Sequence, residues 1–142
     1  MEPPWLARDA SEPLGIWTRA TRTPLEGEAR RLPFEFSSRG DRVPGLLWLP
    51  ATVRAPFALV LHQGASGAIT PSEGGNRAAA WLRAGAAVAS IDLPLHGSRA
   101  SAKLGGLLRD GCRDGPDRPA LARALVLEFA RQAVLDLQRS LD

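Results

Sequence analysis

The sequence predicts an α/β fold, an antiparallel hairpin followed by a parallel βαβ unit with flanking helices. Three observations lead to it. Two short apolar runs, Phe57-Ala58-Leu59-Val60-Leu61 and Ala87-Val88-Ala89-Ser90-Ile91, each stop abruptly at a polar, glycine-containing turn. The turns are His62-Gln63-Gly64 and Asp92-Leu93-Pro94-Leu95-His96-Gly97-Ser98. Between the runs lies a stretch with helical spacing, and before them two partly alternating segments flank the turn Arg39-Gly40-Asp41-Arg42. Continuous apolar runs suit parallel strands covered on both faces, whereas alternation suits antiparallel ones. In an open sheet of this kind, ligands and chemistry gather at the carboxyl ends of the parallel strands.

Each element follows from local pattern. Residues 1–30 are rich in proline, arginine and acidic side chains, with Trp5 and Trp17 as isolated apolar anchors. They are expected to form an irregular arm or short helix lying on a domain that spans 31–142. Residues 31–38 place Leu32, Phe34 and Phe36 on one face, which is strand periodicity. A second strand over 43–49, ended by Pro50, completes a hairpin across the Gly-Asp turn. Pro33 and Pro44 lack a backbone donor and so point to the sheet edge. Residues 57–61 read as a strand buried on both faces. Residues 72–84 read as a helix with Ala78, Ala79, Trp81 and Leu82 apolar and Gly85 as its stop. A right-handed crossover then delivers the buried strand 86–91. Residues 99–119 are rich in glycine and arginine and read as irregular or partly helical.

The longest helix is expected over 120–141, started by Asp117 or Arg118-Pro119. Leu121, Leu125, Phe129, Ala133 and Leu137 form one apolar row, and Val126, Ala130 and Val134 the next. Glu128, Gln132 and Asp136 form the solvent-facing stripe. A helix with so broad an apolar face needs a sheet to cover. Two parallel strands and a hairpin make a thin sheet, so further strands are expected beyond these.

Composition narrows the function classes. The 142 residues are 44% hydrophobic, enough for a core and for at most one ordinary domain. The formal charge is +3, but Lys103 is the single lysine and the arginines are spread from Arg8 to Arg139. A nucleic-acid binder gathers its basic residues on one face, and here Arg30-Arg31 is the one adjacent pair. No nucleic-acid partner is expected. No apolar run approaches the ~20 residues that span a bilayer, and Met1-Glu2-Pro3-Pro4-Trp5 lacks the basic and apolar regions of a signal peptide. No membrane partner is expected, and the lone Cys112, in a charged loop, suits a reducing, cytoplasmic setting. The two histidines and scattered carboxylates show no metal-ligand spacing, and Gly74-Gly75 and Gly105-Gly106 lack the rest of a nucleotide-binding pattern. Neither metal nor cofactor is expected.

The chemistry-bearing segments occur in a particular order. Ser37-Ser38-Arg39-Gly40-Asp41-Arg42-Val43-Pro44-Gly45-Leu46-Leu47-Trp48-Leu49-Pro50 comes first, then Phe57 through Gly67, then Ala87 through Arg99. In that order and spacing they resemble the first half of the α/β-hydrolases, in particular the dienelactone-hydrolase-like and prolyl-oligopeptidase-like esterases and peptidases. The resemblance covers roughly residues 31–141. It implies the N-terminal half of an α/β-hydrolase sheet, cut before the strand that carries the nucleophile elbow.

In that family the turn after the third strand supplies one backbone N–H of the oxyanion hole, and the residue after the nucleophilic serine supplies the other. The matching residues here are His62-Gln63-Gly64-Ala65, with Gln63 standing between His and Gly. The resemblance makes Ala65 the first candidate donor, with Gln63 or Gly64 taking that role if the turn shifts by one. A plain strand-to-helix turn with a hydrogen-bonded, structural His62 is the competing reading. His62, Gln63 and His96 are the residues placed to line the substrate pocket.

The second turn matches the family's Asp-x-x-Gly-His-Gly-x-Ser loop, with Leu95 where glycine is common. Asp92 is expected to accept backbone N–H bonds within the turn, and His96 to be structural rather than a general base. Gly64-Ala65-Ser66-Gly67-Ala68 nearly reads as a G-x-S-x-G elbow. Ala68 replaces the second glycine, Ile69-Thr70-Pro71 follows where a helix should begin, and Asp92 and His96 share one short turn. Ser66 is therefore not taken as the nucleophile. The resemblance implies nucleophilic serine hydrolysis of an ester, thioester or peptide bond in a small-molecule acyl substrate, with the triad lying beyond Asp142. The missing C-terminal half or a second chain would supply it, and the isolated chain would be inert. The alternative is a non-catalytic binding module, or a degenerate hydrolase, that pairs with a second polypeptide.

Overall fold

The computed structural model describes residues 11–18, 29–51, 54–64, 78–112 and 120–142. The hairpin forms as expected and is longer than its apolar pattern, because polar residues at both ends still pair. Strand β2 (Ala29–Ser38) runs antiparallel to β3 (Asp41–Pro50) in continuous register from Ala29↔Pro50 to Ser38↔Asp41. Its turn is two residues long, with Arg39 at φ 53° and Gly40 at φ 74°. Left-handed conformations at both central positions make the turn whose twist matches that of the strands. The arm braces it. Glu12 accepts the backbone N–H groups of Arg39 and Gly40, each at 2.8 Å. Strand β1 (Trp17–Thr18) pairs with Glu35 and Phe34 on the outer side of β2, leaving Trp17 half-exposed rather than anchored.

Strand β4 (Leu59–Leu61) pairs in parallel with β5 (Ala87–Ile91), and β5 pairs antiparallel with β3. The five-stranded order is β1-β2-β3-β5-β4. The predicted class therefore holds: a hairpin and a parallel pair join in one mixed sheet with helices on both faces. Two expectations about edges are corrected. Pro44 lies on an interior strand, at the end of the β3–β5 ladder, where its carbonyl still accepts Asp92 N–H at 3.0 Å. Strand β4, expected to be buried on both faces, is one of the two edge strands of the described sheet, and Leu59 is 51% exposed.

Between these parallel strands the described helical residues are 78–83, here α1. Gly85 ends α1 at φ 84°, with Gly85 N–H bonded to Leu82 O and Ala86 N–H to Trp81 O, both at 3.0 Å. That is the double-bonded glycine cap by which helices commonly stop. The rest of the expected helix, 72–77, lies outside the described residues.

Helix α1 buries Ala78 and Leu82 against Leu46, Trp48 and Val88. The opposite face carries Phe36, Val43 and Ile91, with Phe34 and Leu137 packed on them. Gly45 is required there, because a Cβ would come within 2.2 Å of the Phe34 ring. Helix α2 (Ala102–Cys112) replaces part of the segment read as irregular, and it makes Cys112 a helix-terminal rather than a loop residue. Helix α3 (Ala120–Arg139) packs on α2 and the sheet. Its expected faces are partly reversed. Asp136 is fully buried, whereas Val134 and Leu127 are exposed.

Candidate functional site

The sheet brings two turns to its carboxyl side, one after β4 and one after β5. After β4, His62 N–H donates to Ala89 O at 2.8 Å, carrying the parallel ladder one residue past Leu61. His62, Gln63 and Gly64 are half-buried. Both polar atoms of the Gln63 side-chain amide are buried without a hydrogen-bond partner. Leaving such a group unpaired costs about 1–3 kcal/mol, so Gln63 marks a place where a partner is due. Ala65, Ser66 and the rest of the near-elbow motif lie outside the described residues, as does any oxyanion donor Ala65 would provide.

The turn after β5 is braced from within. Asp92 Oδ2 accepts both the backbone N–H of Ser98 at 2.9 Å and its hydroxyl at 2.8 Å, the kind of bond anticipated for this aspartate. The fit leaves room for glycine alone at Gly97, where φ is 55° and a Cβ would lie 2.2 Å from Asp92 Oδ1. Leu95, where the resembled family has glycine, sits at φ 65°. His96 Nδ1 lies 2.7 Å from the carbonyl oxygen of Pro94. A carbonyl only accepts, so Nδ1 carries a proton, and in the neutral form of the ring Nε2 is the acceptor. Asp92 and His96 are not bonded to each other, and this turn builds no acid–base pair.

Arg99 ties the turn to the rest of the molecule. Its Nη1 donates to Asp136 Oδ2 at 2.7 Å and to Asp92 O at 3.0 Å, and its Nη2 donates to Asp41 Oδ2 at 2.7 Å. Burial works against the charge on Arg99, but the bonds to Asp136 and Asp41 outweigh it and hold the guanidinium above its usual range. A cleft of ≈ 360 Å³ opens beside this network, lined by Glu35, Asp41, Arg42, Pro44, Ser98 and Arg99. Arg42 is engaged there too, donating to Gly15 O at 3.0 Å and facing Glu35 Oε2 at 3.4 Å.

Arg99, Asp41 and Asp136 were not among the residues singled out from sequence. The available signal was slight. Arg99 directly follows the Gly97-Ser98 turn, and Asp136 is an acid flanked by Leu135 and Leu137. Among the described residues no three His, Cys, Asp or Glu side chains cluster as a metal site would require, and no described helix is long and apolar enough to cross a membrane.

No protein-family model matches the sequence, and no curated protein does. Among solved structures, the fold is similar to a cold-adapted esterase from an Arctic intertidal metagenomic library, at TM-score 0.55 and 17% identity, covering 96% of this chain and 48% of that one. It is also similar to acetyl xylan esterase 1 from a Thermoanaerobacterium species, at TM-score 0.56 and 18% identity, covering 93% of this chain and 40% of that one. The chain spans less than half the length of either enzyme. At these identities the likeness concerns the fold alone, a mixed five-stranded α/β sheet with flanking helices.

Proposed function

We propose that this chain is the N-terminal part of a serine-type α/β-hydrolase that cleaves an ester bond in a small acyl substrate. The observation that carries the reading is the likeness of nearly the whole chain, 96% and 93% of it, to part of two esterases. Esters are favoured over thioesters and peptides because both of those structures are esterases.

Acyl transfer through serine needs a nucleophile, a base, an orienting acid and N–H donors about 3 Å from the developing oxyanion. In this reading the β4 turn supplies one donor, from Ala65, or from Gly64 or Gln63. His62, Gln63 and His96 touch the substrate, and the Nε2 of His96 can accept a donor from it. The rigid β5 turn forms one wall of the pocket. The triad comes from a C-terminal half or from a second chain, and the protein works in the cytoplasm.

The test has two parts. The purified chain is assayed with p-nitrophenyl acetate, and no turnover is expected. The reading frame beyond codon 142 is read for a short apolar strand followed by G-x-S-x-G, which is expected. Turnover by the isolated chain that is abolished in Ser66→Ala would overturn this assignment and make the Gly64–Ala68 motif the nucleophile turn.

A further inference from the structure

Residues 11–18 meet the body of the protein mainly through polar contacts. Glu12 makes several of them. Its carboxylate accepts the Arg39 and Gly40 N–H groups at the hairpin turn, and its carbonyl oxygen accepts Arg139 Nη2 from the end of α3. Leu14 O accepts the Ser37 N–H at 2.8 Å, and Gly15 O accepts Arg42 Nη1 at 3.0 Å. Apolar support is slight. Leu14 packs on the Phe36–Val43–Ile91 cluster, whereas Ile16 is 60% and Trp17 46% exposed. A segment with few buried apolar contacts opens locally while the rest of the fold stays closed. Residues 11–18 therefore have two states, docked and lifted.

Asp41 lies between the points they grip. The docked segment bonds to Arg39 and Gly40 on one side of it and to Arg42 on the other. Asp41 uses both carboxylate oxygens, Oδ1 for the Arg42 N–H at 2.8 Å and Oδ2 for Arg99 Nη2 at 2.7 Å. Arg99 in turn donates to Asp92 O at 3.0 Å, at the base of the turn that Asp92 Oδ2 closes on Ser98 and that carries His96. Of the two carboxylates on Arg99, Asp136 is fully buried on α3, whereas Asp41 is half-exposed at the hairpin tip. Asp41 is thus the partner whose position depends on what holds the tip.

We propose that residues 11–18 are a conformational strap: docked, they hold Asp41 on Arg99 and so fix the turn after β5, and lifted, they loosen it. The two-state element is the strap itself, and both the hairpin tip and the turn respond to its equilibrium. Anything that draws the strap away would then soften the turn that bears His96. The inference rests on the hydrolase reading only in that this turn is one wall of the proposed pocket.

The test is amide hydrogen exchange in the full chain and three variants. Glu12→Ala removes the carboxylate from the hairpin turn. It is expected to speed exchange of the Ser37, Arg39 and Gly40 amides at least about tenfold, and of the Ser98 amide about fivefold. The Ala87 amide, bonded to Ala58 O on the far side of β5, should be unchanged. Glu12→Gln keeps one acceptor and should fall between the parent and Glu12→Ala at all four responding amides. Asp41→Ala cuts the connection, so adding Glu12→Ala to it should leave Ser98 where Asp41→Ala alone puts it. If Arg39 and Gly40 do not respond to Glu12→Ala, Glu12 does not dock the strap and the proposal falls. It falls equally if they respond and Ser98 does not. A Ser98 response that persists in the Asp41→Ala background assigns the coupling to Arg139 and α3 instead and overturns the route. Ser98 and Ala87 rising together would mean general destabilisation, which also overturns it. No ester hydrolysis is measured, so failure here and failure of the hydrolase reading are separable.

Discussion

Asp136 is the residue on which the candidate site turns. Its carboxylate is 0% exposed and its partner Arg99 only 9% exposed, so removing Arg99 leaves the Asp136 charge buried and unmatched, and removing Asp136 leaves Arg99 with Asp41 as its remaining carboxylate. Deleting one member of a buried pair costs about 3–5 kcal/mol, whereas replacing both with apolar side chains is often neutral. The second salt bridge of Arg99, to the half-exposed Asp41, places Asp136→Leu at the lower end of that range. In urea denaturation, Asp136→Leu is expected to lose about 3 kcal/mol, and the double variant Arg99→Met/Asp136→Leu to lose less than the sum of its single variants. Strict additivity would show that the two side chains stand independently. Gly97→Ala tests the neighbouring brace. Its Cβ would drive into the Asp92 carboxylate, so the Ser98 amide, bonded to that carboxylate, is expected to lose its hydrogen-exchange protection.

At the scale of elements, one chemical change is expected to act in opposite directions at two glycines. Gly40 holds the hairpin turn at φ 74° with nothing within 4 Å of a built Cβ. Gly40→Ala therefore clashes with nothing and still costs about 1–2 kcal/mol of left-handed strain. Gly106 lies inside α2, also with open space around a built Cβ. Gly106→Ala is expected to add about 0.4–1 kcal/mol. Thermal unfolding of the two variants should move in opposite directions from the parent.

These elements also show what could be read from sequence. The hairpin and the α1 stop were legible because alternation, a Gly-Asp turn and Gly85 act within a few residues. The burial of Asp136 was not, because the Arg99 that neutralises it is 37 positions away and helical spacing placed it on the wet stripe. The exposure of β4 was not legible either. An apolar run reports the burial a strand is suited to, and β4 meets that condition on one side alone. Of the candidate site, the brace between Asp92 and Ser98 was within reach of local pattern. The Arg99 network required the tertiary fold.

On the whole-molecule scale, the chain presents apolar surface that its own fold does not cover. Leu127 is 70% exposed, Val134 40% and Leu141 65%, spaced seven residues apart on α3 and just past its end. Seven residues are close to two helical turns, so the three side chains fall along one stripe. Exposed apolar side chains aligned in this way favour association in water, and the net charge of +3 offers limited repulsion against it. In sedimentation velocity, the isolated chain is expected to self-associate as its concentration rises. Leu127→Lys/Leu141→Lys should restore a monomer. Because both side chains already stand mostly in water, the same substitutions should move the urea midpoint by no more than the roughly 0.5 kcal/mol usual for surface changes. If the double variant unfolded markedly earlier, those leucines would be part of the fold's own core, and the self-association would have to arise at another surface, with the open edge of β4 the first to examine.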